Sequence, residues 1–575
     1  MSIEYCENTR SFFLQTPRST YAFCLHPRLG VPVHLHWGGR IIASDALAAS
    51  RIEWGRAFAP QVFPREGTPS LEEVQQEVPT YGSGDFRAPM IEVTQPDGSG
   101  VLDLKYSDHR ISAGKPTLAG LPATYVESAS EADTLEIDLV DERTGITVML
   151  SYTAFRAYDA IARSVRISNL GTDIQRLDRG LSASLDFNHA NFSMLQLPGA
   201  WARERFVTKA PLQQGTQLVE SRRGASSHNH NPFIALVADG AGESTGDVFG
   251  FSLVYSGNFL AQVEVNQLDQ ARVSLGINPY YFDWQLPVGE SFQAPEAILV
   301  YSDSGLDGMS QTYHRLYRER LCRGQFRDTP RPVVINNWEA TYFDFDEAKI
   351  VGIARKAAEL GVEMFVLDDG WFGRRDDGTT SLGDWVVDRR KLPNGVGAVA
   401  KKVRELGMEF GLWFEPEMIS EDSDLYRAHP DWCLHVEGRR RSLTRDQLVL
   451  DLSRPEVCDY IIDAVGSVLA DAPITYVKWD MNRSMTEIGS PSLPADRQRE
   501  ICRSPRAFPM FCGKAVRAEA AGLIRGCFTI SPRFGPPIIR TRSPAKRSNT
   551  AAAWSTPRVV SPPTFRRCLI TSNIA

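Results

Sequence analysis

The sequence predicts a chain in two parts: a large β-sandwich over residues 1–325, then a (β/α)8 barrel from about residue 326 that stops short. Three observations carry this. The first part is rich in runs that alternate apolar and polar residues with period two, as half-buried strands do. After Pro330-Arg331-Pro332 the rhythm changes to strand, loop, helix, which a parallel sheet with crossover helices requires. Carboxylates and indoles recur just after the predicted strands of the second part, where such barrels place their active sites.

A chain of 575 residues exceeds one ordinary domain. Its 42% hydrophobic and 23% charged content is that of a globular protein with a core. A net charge of −7 argues against nucleic acid as a partner. The nine Cys have irregular spacing and form no C-x-x-C pair, which suits a reducing compartment. The segment Met1–Pro17 carries Glu4, Glu7 and Arg10 and lacks an apolar stretch, so neither a signal peptide nor a membrane span is expected, and the expected location is the cytoplasm.

In the first part, Thr134–Val140, Gly145–Tyr152 and Ala160–Ile167 read as strands of the sandwich. Ser310–Leu321 reads as a helical linker. In the second part the strands are expected at Val333–Asn336, Met364–Leu367, Glu409–Trp413, Leu448–Leu450 and Thr475–Val477. Helices are expected at Phe345–Leu360, Val396–Leu406 and Pro455–Ala470, the last with Ser453 as N-cap and Pro455 in its first turn.

The strand ends hold Asn337-Trp-Glu-Ala340, Asp368-Asp-Gly-Trp371, Trp413-Phe-Glu-Pro-Glu417, Asp451 with Arg445 before it, and Lys478-Trp-Asp-Met-Asn-Arg483. Along a strand Lys478, Asp480 and Asn482 point the same way. A carboxylate between an ammonium and a carboxamide is costly in a core but suits a polar pocket, and an ionised, oriented carboxylate is what a glycosidase uses as nucleophile. The bland alternative is an ion pair that only holds structure. Four acidic strand ends interleaved with Trp favour a sugar pocket, with carboxylates for hydroxyl groups and indoles for sugar faces. Asp368-Asp369 could instead hold a metal, although no His lies near; Trp338, Trp371 and Trp413 could be barrel packing; Glu415 and Glu417 could stand behind the site. Asp376-Asp-Gly378 reads as a solvated turn, and Gly82-Ser-Gly84 is too weak a signal for a phosphate loop.

With these segments in place the chain resembles glycoside hydrolase family 36, the bacterial α-galactosidases, up to about Glu500. The resemblance rests on Asn337–Ala340, Val366–Phe372, Gly383-Asp-Trp385, Gly411–Met418, Leu450–Arg454, Lys478–Arg483, Pro79–Arg87 and Gly199–Arg205. It implies a β-super-sandwich before the barrel and retaining hydrolysis of terminal α-D-galactosyl residues from oligosaccharides such as melibiose and raffinose. It further implies Asp480 as nucleophile, galactose hydroxyls bound by Asp368, Asp369, Arg445, Lys478 and Asn482, and Trp338, Trp413 and Trp201 lining the pocket. No cofactor and no metal are implied, and family members are commonly homotetramers. A transgalactosylase or an α-N-acetylgalactosaminidase would use the same scaffold.

The resemblance ends abruptly. A retaining glycosidase needs a second carboxyl group as acid/base, about 5 Å from the nucleophile. The family supplies it from a later segment like WTSDNTDA, absent here. Residues 501–575 hold eleven Arg, a single acid, Glu519, and four of the nine Cys. Read one base out of frame, Phe534–Arg542 can encode WTSDNTDA, Gly513–Gly526 can encode ESCAGGGGRFDPG, and Pro563–Ser572 can encode HVSAVPNHQ. A frameshift near Arg503 is expected, with a barrel (326–500) cut off after about its fifth or sixth strand, an aberrant tail (501–575), and an impaired enzyme or a sugar-binding pseudoenzyme. A basic tail of the protein's own is the alternative.

Overall fold

The computed structural model describes residues 2–503 except 44–46, 48–59, 64–68, 83, 119, 227 and 325–326; the expectations for the tail lie outside the described residues. The first part is a stack of antiparallel sheets: one of four strands (Ile3–Cys6, Ser11–Gln15, Ser19–Leu25, Pro32–Gly39), one of six and one of ten. Alternation sets the register. Leu135, Ile137 and Leu139 of the strand Ala132–Val140 lie opposite Tyr152, Leu150 and Val148 of Ile146–Phe155, and all six are buried. Each such aliphatic side chain contributes about 1.5–3 kcal/mol by leaving water. The expected linker helix spans Gly305–Arg320 and packs Met309, Tyr313, Leu316 and Tyr317 onto the sandwich, with the Tyr313 hydroxyl donating to Ile298 O at 2.9 Å.

The second part holds a parallel sheet of four strands in chain order: Val334–Asn336, Met364–Leu367, Glu409–Phe414 and Tyr476–Trp479. Three helices cover one face, each by a helical stripe. Glu347–Glu359 buries Ile350, Ala354 and Ala357, and Asp346 caps it by accepting the Lys349 N–H at 2.8 Å. Val396–Glu405 buries Val396, Val399, Ala400 and Val403; Pro455–Asp471 buries Val457, Cys458, Ile461 and Val465. They close over Phe365, Leu367, Phe410, Leu412 and Phe414, all fully buried. The opposite face carries Asn336, Val366, Gly411, Trp413, Tyr476 and Lys478 by register and alternation. Gly411 is forced there: a Cβ would lie 2.7 Å from the Tyr476 ring and 2.9 Å from Val366 Cγ2.

Two expectations are corrected. Leu448–Leu450 is not a strand of the parallel sheet. Leu448–Val449 pairs antiparallel with Met418–Ile419, and the third and fourth parallel strands are direct neighbours. A short buried apolar run reads alike in either sheet, so the sequence could not place it. The described residues thus hold four parallel strands rather than five or six. Ser453 is not the cap of the third helix: Arg454 occupies that position without a capping side chain, and Ser453 Oγ donates to Asp451 Oδ1 at 2.5 Å.

The two parts touch through the segment after the last strand. The Met485 N–H donates to Arg223 O at 2.9 Å, Gln285 Nε2 to Asp496 Oδ2 at 2.6 Å, and the Arg499 guanidinium lies 5.1 Å from the Tyr281 ring centre. Among the described residues no helix is long and apolar enough to cross a membrane.

Candidate functional site

The C-terminal ends of the four parallel strands converge on one polar cluster. Asn336 ends the first strand and donates from Nδ2 to Asp368 Oδ2, just past the second. Lys478, on the fourth strand, reaches over the third to the same oxygen at 2.6 Å. Register sets Trp413 of the third strand level with Lys478, and its indole N–H donates to Asp480. Asp368 is nearly buried and Lys478 partly exposed, so the pair opens to solvent on the ammonium side. The Asp368 and Asp369 N–H groups donate to Asn337 Oδ1 at 2.8 Å and Asp368 Oδ1 at 2.9 Å, which fixes the strand end.

Asp480 follows the fourth strand, and its N–H continues the ladder to Phe414 O at 2.8 Å. Three N–H groups hold its carboxylate: Asn482 Nδ2 at 2.7 Å and Trp413 Nε1 at 3.2 Å on Oδ2, and the Met481 main chain at 3.0 Å on Oδ1. The Lys478 ammonium hydrogen-bonds Asp368, and N–H groups of Asn482, Trp413 and Met481 donate to Asp480.

Asp369 lies deeper. Arg375 grips both its oxygens, at 2.7 and 2.9 Å. Burial still raises the Asp369 carboxyl above the ordinary range, against the pull of Arg375. Arg445 sits in an exposed turn with φ of +55° at both Arg445 and Asp446, a region non-glycine residues avoid. Its charge pulls both the Asp369 and the Glu415 carboxyls down, against the burial that raises them.

Of the indoles, Trp338 is half-buried beside Tyr342 and Phe343. Trp413 is 2% exposed, stacked on Phe372, and offers the cluster its N–H rather than its face. Trp201 is 81% exposed on a sandwich loop, and among the described residues no hydrogen bond or ring contact links it to the strand ends. Asp451 is not in the cluster: it is buried and accepts Ser453 and Ser490.

Arg375 went unread in the sequence, and Glu415 was expected only to stand behind the site. Arg375 hid in the charged run Arg374–Asp377, whose Asp377 is the expected turn former, accepting the Thr379 N–H at 2.8 Å. Glu415 is fully buried level with Asp480, and burial together with the Asp480 charge pushes its carboxyl up to about 7. Chemically the cluster offers an oriented carboxylate, an ammonium–carboxylate pair open to a hydroxyl-rich ligand, and the Trp413 indole N–H.

Residues 30–287 match the glycosyl hydrolase family 36 N-terminal domain, and residues 291–506 match the melibiase family. Alpha-galactosidase AgaA of Geobacillus stearothermophilus is 59% identical over 501 residues, 87% of this chain and 68% of that protein. Alpha-galactosidase Mel36A of Lactobacillus acidophilus is 44% identical, over 92% of this chain and 73% of its own. Among solved structures, family 36 alpha-galactosidase AgaB of G. stearothermophilus superposes with a TM-score of 0.88 at 55% identity, over 92% of this chain and 72% of its own. A substituted AgaA in complex with raffinose gives 0.87 at 56%, over 90% and 71%.

Proposed function

The chain belongs to glycoside hydrolase family 36, and from that membership we propose that it is an α-galactosidase of the retaining kind, acting on melibiose- and raffinose-type oligosaccharides at the strand-end cluster. The observation that carries the reading is the Asp480 carboxylate, held by Asn482, Trp413 and Met481 beside the Asp368–Lys478 pair. Asp480 attacks the anomeric carbon, the bond to the leaving oxygen breaks, and water later releases galactose from the covalent intermediate. Lys478, Asp368, Asp369, Arg445 and Asn482 bind sugar hydroxyls, with Trp338 and Trp413 as walls and Trp201 reaching in from the sandwich. The raffinose and stachyose complexes of the AgaA relative support an oligosaccharide substrate. The cytoplasmic location, the homotetramer, the cofactor-free reaction and the domain limits at 325 and 500 belong to the same proposal.

The chain as written is an impaired member. Residues 507–575 lie outside both family matches, which supports a shifted reading frame near residue 503 and a barrel left without its later strands and its acid/base carboxyl. General-acid help is worth about 10²–10⁴ in rate. A dinitrophenyl α-galactoside, whose leaving group needs no proton, should be turned over, melibiose barely, and Asp480→Ala should act on neither. Turnover by Asp480→Ala at the parent rate would contradict the assignment. Binding of galactose without turnover of the aryl substrate would favour the pseudoenzyme.

A further inference from the structure

Glu415 has no part in the reaction just described, yet it is fully buried within the cluster. It follows the third strand, level with Asp480 and on the same face, because Phe414 registers with Trp479. Among the described residues no cation forms an ion pair with it; its contacts are N–H donors. Oε1 accepts the main-chain N–H of Asn482 at 2.5 Å, and Oε2 accepts Gln447 Nε2 at 3.0 Å. Asn482 in turn sets its carboxamide 2.7 Å from Asp480 Oδ2. Glu417, two residues on, is half-buried and accepts Trp479 Nε1 at 3.0 Å, on the helix-covered side.

We propose that Glu415 is a positioning residue for the displacement at Asp480: its carboxyl, tied to Gln447, fixes the Asn482 main chain and with it the carboxamide that aims Asp480 Oδ2. This rests on the reading of Asp480 as the nucleophile. Two observations support it. Placing one acid against another without an ion-paired cation is unfavourable for stability, and such arrangements cluster at functional sites. Burial and the Asp480 charge also hold the Glu415 carboxyl near 7, so it is partly protonated at neutral pH and Asp480 bears the negative charge. The Gln447 Oε1 atom is buried without a hydrogen bond among the described residues; turning that amide over would give a protonated Oε2 its acceptor.

The test is covalent labelling of the chain by an activated fluorogalactosyl fluoride. An Asp480 oxygen forms the bond to the anomeric carbon, the carbon–fluorine bond breaks, and fluoride leaves with the electron pair, so no general acid is needed. Glu415→Ala should slow the limiting labelling rate about 100-fold, with the half-saturation concentration within about twofold. Glu415→Gln keeps an acceptor for the Asn482 N–H and should recover to within about fivefold. Glu417→Gln should label like the parent. Should Glu415→Ala not fold, Gln447→Ala removes the other anchor and should slow labelling about tenfold. Parent-rate labelling of Glu415→Ala or, in its place, Gln447→Ala, equal losses in the Ala and Gln variants at 415, or a loss confined to half-saturation each overturns the proposal while leaving Asp480 in place. A parent chain unlabelled, or labelled elsewhere than Asp480, overturns the underlying reading instead.

Discussion

Glu77 in the sandwich and Glu415 at the strand ends are both completely buried acids with opposite electrostatics. Glu77 has Arg163 at 3.1 Å, His34 at 2.9 Å, and the Tyr21 and Tyr152 hydroxyls at 2.8 and 2.7 Å. Burial alone would raise its carboxyl, but Arg163 and these hydrogen bonds outweigh that and hold it below the usual range. Glu415 faces Asp480 and is held by amide N–H groups, so its carboxyl rises instead. A buried acid given a cation braces a fold. A buried acid set against another acid weakens it, and persists where a site needs the geometry.

That contrast should appear on removal. The largest effect is expected from Asp480→Asn, which should reduce fluorosugar labelling by roughly 10⁴-fold or more while leaving the melting temperature equal or higher; a variant that labels normally breaks the contrast at its functional end. Arg163→Met strands the Glu77 charge and should cost about 3–5 kcal/mol in denaturant unfolding, with the folded fraction labelled at the parent rate. A loss of labelling rate without loss of stability would mean the sandwich cluster is not a brace. Lys478→Met leaves Asp368 to Asn336 and should weaken galactose binding about 10–100-fold by calorimetry.

The smallest effect is in pH. The Glu415 carboxyl stands at about 7 in the fold against 4.5 for a free glutamate. Its raised value means stability fully present below about 4.5 and lost as pH rises through about 7. Asp480 and Arg445 are the charged groups acting on it, the first raising and the second lowering its pKa. Glu415→Gln should therefore gain on the parent over that interval, by about 3 kcal/mol at most, and level off above it. Glu77 has the reverse sign: its contribution is present above the ordinary glutamate range and fades as pH falls. Melting curves that move the same way for Glu77→Gln and Glu415→Gln would remove the distinction.

The sequence exposed the architecture because alternation and helical stripes are local. The strands ending at Asn336, Leu367 and Phe414 and the helix from Pro455 follow from such patterns within a few residues. The site was legible as a set of strand ends and not as a set of contacts. Asp368 and Lys478 are 110 residues apart, and which of Asp368 and Asp480 takes the ammonium is a tertiary contact that no local pattern carries. Arg375 looked like part of a solvated charge run because burial of a guanidinium leaves no local trace. Glu415 and Glu417 flank one proline and look equivalent; the turn after Phe414 sends them to opposite sides.

The most direct test of the central claim, an α-galactosidase site deprived of its acid/base, is to assay this chain on melibiose beside a version with the downstream frame restored. The restored protein should be faster by about 10²-fold or more. Comparable rates would contradict the claim, because residues 501–575 would then supply the proton donor themselves.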